Sequence, residues 1–452
     1  MRDSKVGVYV HIPFCERVCP YCDFAVIAAP DLSTKQEVRY VDALLLELAS
    51  RSGAYQDTSA VDQSPAAVHQ DSGAVDQGPA AVHQDPGAAD QSPAAVHQDP
   101  GAVKQSPAAA SQGPNGKGRS LASIYLGGGT PSLLTPESLA RIVAAIRAAF
   151  PSDGPVEITL EVNPSTLERA RLPEFRALGV NRVSVGVQSF DDAVLKRLGR
   201  AHRVEEVHHT LDACRVAGFR AISLDLIFAA PGQNLAGVEA DLDLALQFSP
   251  DHVSTYELTI ESGTPFALAA GRGQLSLPDE DAAIAMQETI EARLHAGGFE
   301  RYEISNYAHL GFQAVHNRRY WERQPVLGIG VGAFSTEPPS AAAPFGARRS
   351  NVRDLRTYFD RIAQRLPAAA GPTEVFDAET ARGEAAFLAL RGSRGLLAAE
   401  FESEFGQSPR TFFGPAIDRL IESGLLDEAG GGDLRLSARG RLFADSVFAE
   451  FV

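Results

Sequence analysis

Alternation constrains this chain more than any other feature of its 452 residues. Short apolar runs at 7–12, 121–126, 156–162, 182–187, 221–228 and 252–258 are separated by helical periodicity at 35–49, 136–150, 167–178, 191–198, 204–217 and 235–247. Strands that alternate with helices of this length pair in parallel, because each crossover helix returns the chain to the same end of the sheet. Six such units in succession predict an α/β fold, an incomplete TIM-like (β/α)6 barrel with its functional residues at the C-terminal ends of the strands. A doubly wound open sheet shares this periodicity.

One segment stands outside the pattern. From Ala60 a unit of 14 residues recurs as AVDQSPAAVHQDSG, AVDQGPAAVHQDPG and AADQSPAAVHQDPG before decaying. Residues 52–118 hold seven prolines and no Leu, Ile, Phe, Met or Trp. They cannot bury enough apolar surface to offset an ordering cost of about 1–2 kcal/mol per residue, and are expected to form a disordered insertion in a surface loop. The repeat is too polar to stack as a solenoid. His69, His83 and His97 recur with it, but duplicated filler is a simpler reading than a metal site.

Beyond the sixth strand come a helical pattern at 278–296, a glycine-rich run at 327–334 and a Pro/Ala-rich piece at 338–344. Helical patterns at 378–390, 398–405 and 411–423 precede two apolar runs flanking the glycine turn 430–432, and a last helix is expected at 438–451. Three helices and a β-ribbon make a winged-helix arrangement. The expected division is a barrel over 1–335 interrupted by 52–118, a connector over 336–375, and a winged-helix-like domain over 376–452. Such domains often bind DNA, but Glu400, Glu402, Glu404, Asp418, Glu422, Asp427 and Glu428 make this copy acidic, which favours a packing or partner module.

The whole chain sets 41 basic residues against 57 acidic ones, a net −16, which argues against a phosphate-backbone binder. No run approaches the roughly 18 apolar residues of a membrane span, and Met1-Arg2-Asp3-Ser4 opens no signal peptide. A cytoplasmic protein without a nucleic-acid partner is expected.

The first strand runs into Cys15-Glu-Arg-Val-Cys19-Pro-Tyr-Cys22. Three thiolates on one tight loop can hold three corners of a [4Fe–4S] cube and leave the fourth iron open to a small chelating molecule. A structural zinc site is the other reading, but it wants four ligands, and the remaining cysteine, Cys214, lies 192 residues beyond Cys22 inside a helical pattern. Cys214 reads most simply as a small buried hydrophobe.

This C-x3-C-x2-C spacing resembles the radical S-adenosylmethionine (SAM) superfamily. Tyr9-Val-His-Ile-Pro-Phe-Cys15 resembles its branch of oxygen-independent coproporphyrinogen III oxidases and haem chaperones. Further matches to that branch are Gly127-Gly-Gly-Thr-Pro131, Glu161-Val-Asn-Pro164, Gly186-Val-Gln-Ser-Phe190, Gly199-Arg-Ala-His202, Asp225-Leu-Ile and Pro231-Gly-Gln233. The resemblance implies that Cys15, Cys19 and Cys22 carry a [4Fe–4S] cluster whose open iron takes the amino and carboxylate groups of SAM. It places Tyr9 and Tyr21 beside SAM. Gly127, Gly128 and Gly129 would let backbone amides approach the methionine end, and Thr130 would add a hydroxyl. Glu161, Gln188 and Asp225, at or near strand ends, would meet the ammonium or ribose groups; Arg200 would suit the carboxylate through its planar fork.

Two branches remain. The oxidases resembling this chain have a further cysteine two positions after the third, where Phe24 stands here, and a long N-terminal extension, whereas eight residues precede Tyr9. His316-Asn-Arg-Arg-Tyr-Trp321 is similar to the H-N-x-x-Y-W signature of the haem chaperones. That likeness implies His316 as an axial haem ligand, with Tyr320 and Trp321 against the macrocycle and Arg318 and Arg319 near its propionates. Gly328-Ile-Gly-Val-Gly-Ala-Phe334 ends in Phe334 where the family has histidine. The expected function is to hold cluster, SAM and haem and to deliver haem to acceptor haemoproteins, with a homodimer allowed. The enzymatic alternative is radical decarboxylation of coproporphyrinogen III propionates.

Overall fold

The computed structural model describes residues 5–56 and 119–452. Strand β1 (Lys5–Ile12) passes through the small parallel pair β2 (Phe14–Cys15) and β3 (Ile27–Ala28) into α1 (Thr34–Gln56). There follow β4 (Ser120–Gly128), α2 (Pro136–Ala149), β5 (Glu157–Val162), α3 (Thr166–Ala177) and β6 (Arg182–Gln188). Then come α4 (Asp192–Arg197), α5 (Val204–Ala217), β7 (Ala221–Phe228), α6 (Leu235–Gln247) and β8 (His252–Glu257). Every expected strand and helix of the six units is present. Helix α1 overruns into the expected insertion: 52–56 are helical, and buried Tyr55 anchors that turn by donating to Val326 O at 3.3 Å. The repeat itself lies outside the described residues.

Strands β1, β4, β5, β6, β7 and β8 pair in parallel in that order, as the incomplete barrel requires. The chain continues with α7 (Pro265–Gly271), α8 (Glu280–Ala296), β9 (Glu300–Arg301), β10 (Asn306–Ala308) and α9 (Val315–Trp321). Strand β11 (Val326–Ile329) then joins the other edge of β1 in parallel. Next come β12 (Phe334–Glu337), β13 (Ala347–Ser350), α10 (Leu355–Ala363) and β14 (Glu374–Val375). The sheet order β14-β13-β12-β11-β1-β4-β5-β6-β7-β8-β10-β9 is linear, so the barrel stays open. The stretch 336–375, expected as a connector, is instead built into this sheet, and buried Tyr358 of α10 donates to Glu47 on α1 at 2.8 Å.

Side chains alternate across each strand. Val8, Val10, Ile12, Ile124, Leu126, Leu160, Val183, Val185 and Leu224 belong to one apolar core with Leu44, Ile142, Phe175 and Leu211 of the surrounding helices. The intervening positions, among them Tyr9, His11, Ser123, Tyr125, Thr159, Glu161, Ser184 and Asp225, therefore line the interior.

The C-terminal part comprises α11 (Ala378–Arg391), α12 (Ala398–Phe405), α13 (Pro409–Glu422), the ribbon β15 (Leu426–Glu428) and β16 (Leu434–Leu436), α14 (Ala438–Leu442) and α15 (Ala444–Phe448). It has its own core around Leu390, Phe401, Ile417, Leu434 and Val447. The single helix expected at 438–451 is broken at Phe443 (φ −116°, ψ 31°). Gly440 packs directly on the Leu425 carbonyl, where a Cβ would not fit. Ion pairs run both ways between the C-terminal part and the part preceding it: Arg323 donates to Glu384 at 3.0 Å and to Glu404 at 2.8 Å, and Arg391 of α11 donates to Glu303 at 3.0 Å. Among the described residues no helix is long and apolar enough to cross a membrane.

Candidate functional site

The cysteine loop emerges where β1 ends. Pairing of β2 with β3 closes its base, and Cys22 N donates to Cys19 O at 3.1 Å in a tight turn. Two neighbours buttress it: Phe266 N donates to Pro20 O at 3.0 Å, and Gly199 (φ 70°) abuts the Pro20 ring so closely that a Cβ would stand 2.5 Å from Cδ. His11 fastens the far end. Its Nε2 donates to Ala25 O at 3.1 Å, which leaves Nδ1 to accept from the Tyr9 hydroxyl, also at 3.1 Å. Cys15, Cys19 and Cys22 are all half-buried and unbridged. Among the described residues no group of three or more His, Cys, Asp or Glu side chains is placed to hold a metal ion. Each thiol has a donor of its own: the Thr130 side chain for Cys15, Arg200 and the Tyr21 hydroxyl for Cys19, and Phe24 N–H for Cys22. Burial pushes the free Cys15 thiol up to about 12, so metal uptake must displace its proton.

Beside this loop the strand ends build a cradle. The glycines at 127–129 are dictated by packing. A Cβ on Gly127 would stand 2.8 Å from Glu161 Oε1, one on Gly128 (φ 111°) 2.6 Å from the His11 ring, and one on Gly129 2.9 Å from Cys15 Sγ. Glu161 accepts from the Tyr125 hydroxyl at 2.8 Å and from Gly128 N at 3.0 Å. Burial, reinforced by Asp225, raises its carboxyl to about 7 against the pull of those bonds. Asp225 accepts from Ser184 Oγ at 2.9 Å, and burial raises it to about 6. Gln188 closes β6 with φ 67°, a left-handed conformation that a non-glycine residue holds only where its surroundings impose it. Arg200 donates through Nη2 to Asn163 Oδ1 at 2.5 Å and to Gly186 O at 3.2 Å, while its buried Nε has no partner among the described residues. An orphaned guanidinium N–H beside open strand ends, with two protonatable carboxylates across the interior, fits a zwitterionic amino acid cofactor.

Sequence reasoning passed over Asn163. Its Nδ2 donates to Thr130 Oγ1 at 2.7 Å while its Oδ1 holds Arg200, so one amide spans both sides of the cluster loop. The signal was the Glu161-Val-Asn-Pro164 motif, in which only the carboxylate drew notice.

His316 lies deeper. Helix α9 lies across the N-terminal ends of the strands: His316 N donates to Glu157, the first residue of β5, at 3.0 Å, and buried Arg319 donates to the carbonyl of Lys5, the first residue of β1, at 2.6 Å and to Pro325 O at 3.2 Å. The His316 ring is 1 % exposed; Nδ1 is 2.9 Å from Ser123 Oγ and Nε2 is 3.4 Å from the Tyr320 hydroxyl. It packs on Tyr125 (centroids 5.2 Å apart) and Tyr9 (6.3 Å). Burial, aided by the Arg319 charge, lowers it to about 3, so the ring is neutral. Trp321 is covered by the Arg391 guanidinium at 4.4 Å. Arg318 pairs with Glu322 at 2.6 Å on the surface. The arginines expected near propionates are thus both engaged within the protein. In this arrangement His316 offers no free nitrogen to an iron.

Comparison with known proteins follows the same lines. Residues 115–245 match the family described as the Radical SAM superfamily, and residues 376–443 match the HemN C-terminal domain. The chain is similar to the protein named heme chaperone HemW of Bacillus subtilis, 29 % identical over 99 % of both chains. It is similar to its namesake of Mycobacterium tuberculosis, 30 % identical over 99 % of this chain and 95 % of the other. The Haemophilus influenzae namesake is 31 % identical over 82 % of this chain and 81 % of the other. In fold it is similar to coproporphyrinogen III oxidase (HemN) from Escherichia coli, with a TM-score of 0.74 and 20 % identity over 99 % of this chain and 90 % of that one.

Proposed function

This chain belongs to the HemW family of radical SAM proteins, and from that premise we propose that it carries haem and passes it to acceptor haemoproteins. Cys15, Cys19 and Cys22 hold the [4Fe–4S] cluster in this reading. Tyr9, Tyr21, Gly127, Gly128, Gly129, Thr130, Glu161, Gln188, Arg200 and Asp225 would surround SAM, which would supply a radical by cleavage of its sulfonium or serve simply as a bound ligand. The observation that carries the proposal is that the His316 ring packs on Tyr9 and Tyr125, and Tyr125 in turn donates to Glu161, so haem signature and SAM cradle share one interior.

His316 is assigned as the haem ligand in an opened state. The contacts of Ser123 and Tyr320 with its ring must part first, and α9 is the element that moves. Phe24, 62 % exposed beside Cys22, supplies no thiol at the position where the related oxidases have one. We further assign a division into barrel, sheet extension and C-terminal module, a cytoplasmic location and no nucleic-acid partner, the last on the net charge of −16.

The test is a haem titration of anaerobically reconstituted protein followed by mixing with an apo-haemoprotein. Tight binding and transfer support the carrier. Protoporphyrinogen formed from coproporphyrinogen III in the presence of SAM and reductant would overturn it in favour of the oxidase.

A further inference from the structure

The three thiols of the cysteine loop are not equivalently solvated by the protein. Cys15 is reached by a neutral hydroxyl, Thr130, and Cys22 by a backbone N–H, that of Phe24. The Arg200 charge reaches all three, but among them Cys19 is the one that accepts a bond from it: Arg200 Nη1 is 3.6 Å from its Sγ, and the Tyr21 hydroxyl lies within bonding reach of both Cys19 and Arg200. The guanidinium cannot swing away. Its other nitrogen is held at 2.5 Å by Asn163 Oδ1 and at 3.2 Å by Gly186 O. Asn163 in turn is fixed at its backbone, whose N–H donates to Glu168 at 2.9 Å, and at its amide nitrogen by Thr130. Gly186 packs closely against the pair: a Cβ there would lie 3.1 Å from Asn163 Oδ1 and 3.3 Å from Arg200 Nη2, so both groups would have to shift to admit one.

We propose that Arg200, oriented by Asn163 and joined by Tyr21, is a donor cap on Cys19 that sets the reduction potential of the cluster. The inference rests on the reading that the three thiols ligate it. Reduction by an external one-electron donor adds one electron, and hence one negative charge, to the cube and its thiolates, leaves the donor oxidised by one electron, and makes or breaks no bond in the protein. A fixed cation and N–H donor at one sulfur stabilise that added charge and draw the potential upward. In this scheme Asn163 is a positioning residue. It touches no thiol, yet it decides where the guanidinium points, and it links the Cys19 cap to Thr130 at Cys15. Arg200 then has two duties on separate atoms: Nη1 serves the cluster, and unpaired Nε remains for an anionic group of SAM.

The experiment is an EPR-monitored redox titration of reconstituted full-length protein without SAM, comparing the wild type with Arg200→Gln, Arg200→Lys, Asn163→Ala and Tyr21→Phe. Omitting SAM removes any effect through the SAM carboxylate. Arg200→Gln should make reduction about tenfold less favourable, which for a one-electron couple is about 59 mV more negative. Asn163→Ala should shift the potential the same way with Arg200 still present, Tyr21→Phe should shift it less, and Arg200→Lys should recover part of the loss. A wild-type potential in both Arg200→Gln and Asn163→Ala, at full iron content, overturns the proposal. If Arg200→Gln fails to take up iron, Asn163→Ala decides. Failure of both to assemble a cluster overturns it too, by making the cap a scaffold for assembly. Failure of the wild type to take up iron would instead refute the cluster reading beneath it.

Discussion

Ser123 Oγ and His316 Nδ1 stand 2.9 Å apart inside the barrel, on β4 and α9, with Tyr320 against the other ring nitrogen. The histidine of the haem signature is therefore a packed interior group in this state, and any iron ligation competes with that bond. A buried neutral hydrogen bond contributes about 1 kcal/mol, roughly a fivefold change in the open population. Ser123→Ala should accordingly tighten haem binding about fivefold, whereas His316→Ala should weaken it sharply with cluster absorbance unchanged. Soret titrations check both. Looser haem binding in Ser123→Ala would refute opening of α9.

Glu161 and Asp225, raised by burial to about 7 and about 6, ionise within the physiological range. Their charged forms are the ones that attract the ammonium of SAM. SAM binding should strengthen as pH rises from about 6 to 8, by up to about tenfold per unit while one proton is released. Glu161→Gln should bind weakly and lose most of this dependence. Calorimetry in two buffers of different ionisation enthalpy measures the proton directly; no proton release would refute the assignment.

Gly129 sits where a Cβ would be 2.7 Å from Phe14 O and 2.9 Å from Cys15 Sγ. Neither neighbour would yield easily, one being backbone and the other the proposed cluster ligand. Gly129→Ala should reduce iron uptake severely while leaving far-UV circular dichroism near the wild type. Gly154→Ala, with open space around it, should change neither iron uptake nor circular dichroism. Iron analysis of the two variants side by side is the measurement.

The barrel and the cysteine loop are legible in the sequence because their signals are local: apolar runs of strand length, helical spacing, three thiols within eight residues. The interior is legible only in part. Runs such as EITLEV and RVSVGVQ read as buried strands, yet their alternate positions, Glu157, Thr159 and Glu161 in β5 and Arg182 and Ser184 in β6, form the polar lining. The apolar members of each run mask the period of two that separates this lining from the core. Asn163 is different in kind. Its bonds to Thr130 and Arg200 join residues 33 and 37 positions away, and no local spacing announces such a convergence. The extension over 336–375 escaped for the opposite reason: strands of two to four residues in a Pro/Ala-rich stretch carry almost no periodic signal.

Four interior histidines and four interior carboxylates oppose one another in the response of the fold to acid. Burial lowers His11 to about 4, His202 and His316 to about 3, and His252 well below its usual value. The unfolded chain takes up protons at these positions near pH 6.5 and the native chain does not, so they contribute stability that is lost as pH falls below about 6.5. Burial raises Glu161 and Glu168 to about 7 and Asp225 and Asp241 to about 6. There the native chain holds protons that the unfolded chain has released, so their contribution is fully present near pH 4 and is lost as pH rises toward 7. Between about pH 5 and 6 the two sets nearly cancel, and the cluster-free protein should show an almost level stability there. Removing one member tips the balance by up to about 1.4 kcal/mol per pH unit: His316→Gln should gain stability relative to the wild type as pH falls through this window, and Glu168→Gln should lose it. Denaturant midpoints at pH 5.0, 5.5 and 6.0 read the slopes, and a steep acid loss in the wild type would show that these eight groups are not held in the protonation states assigned to them.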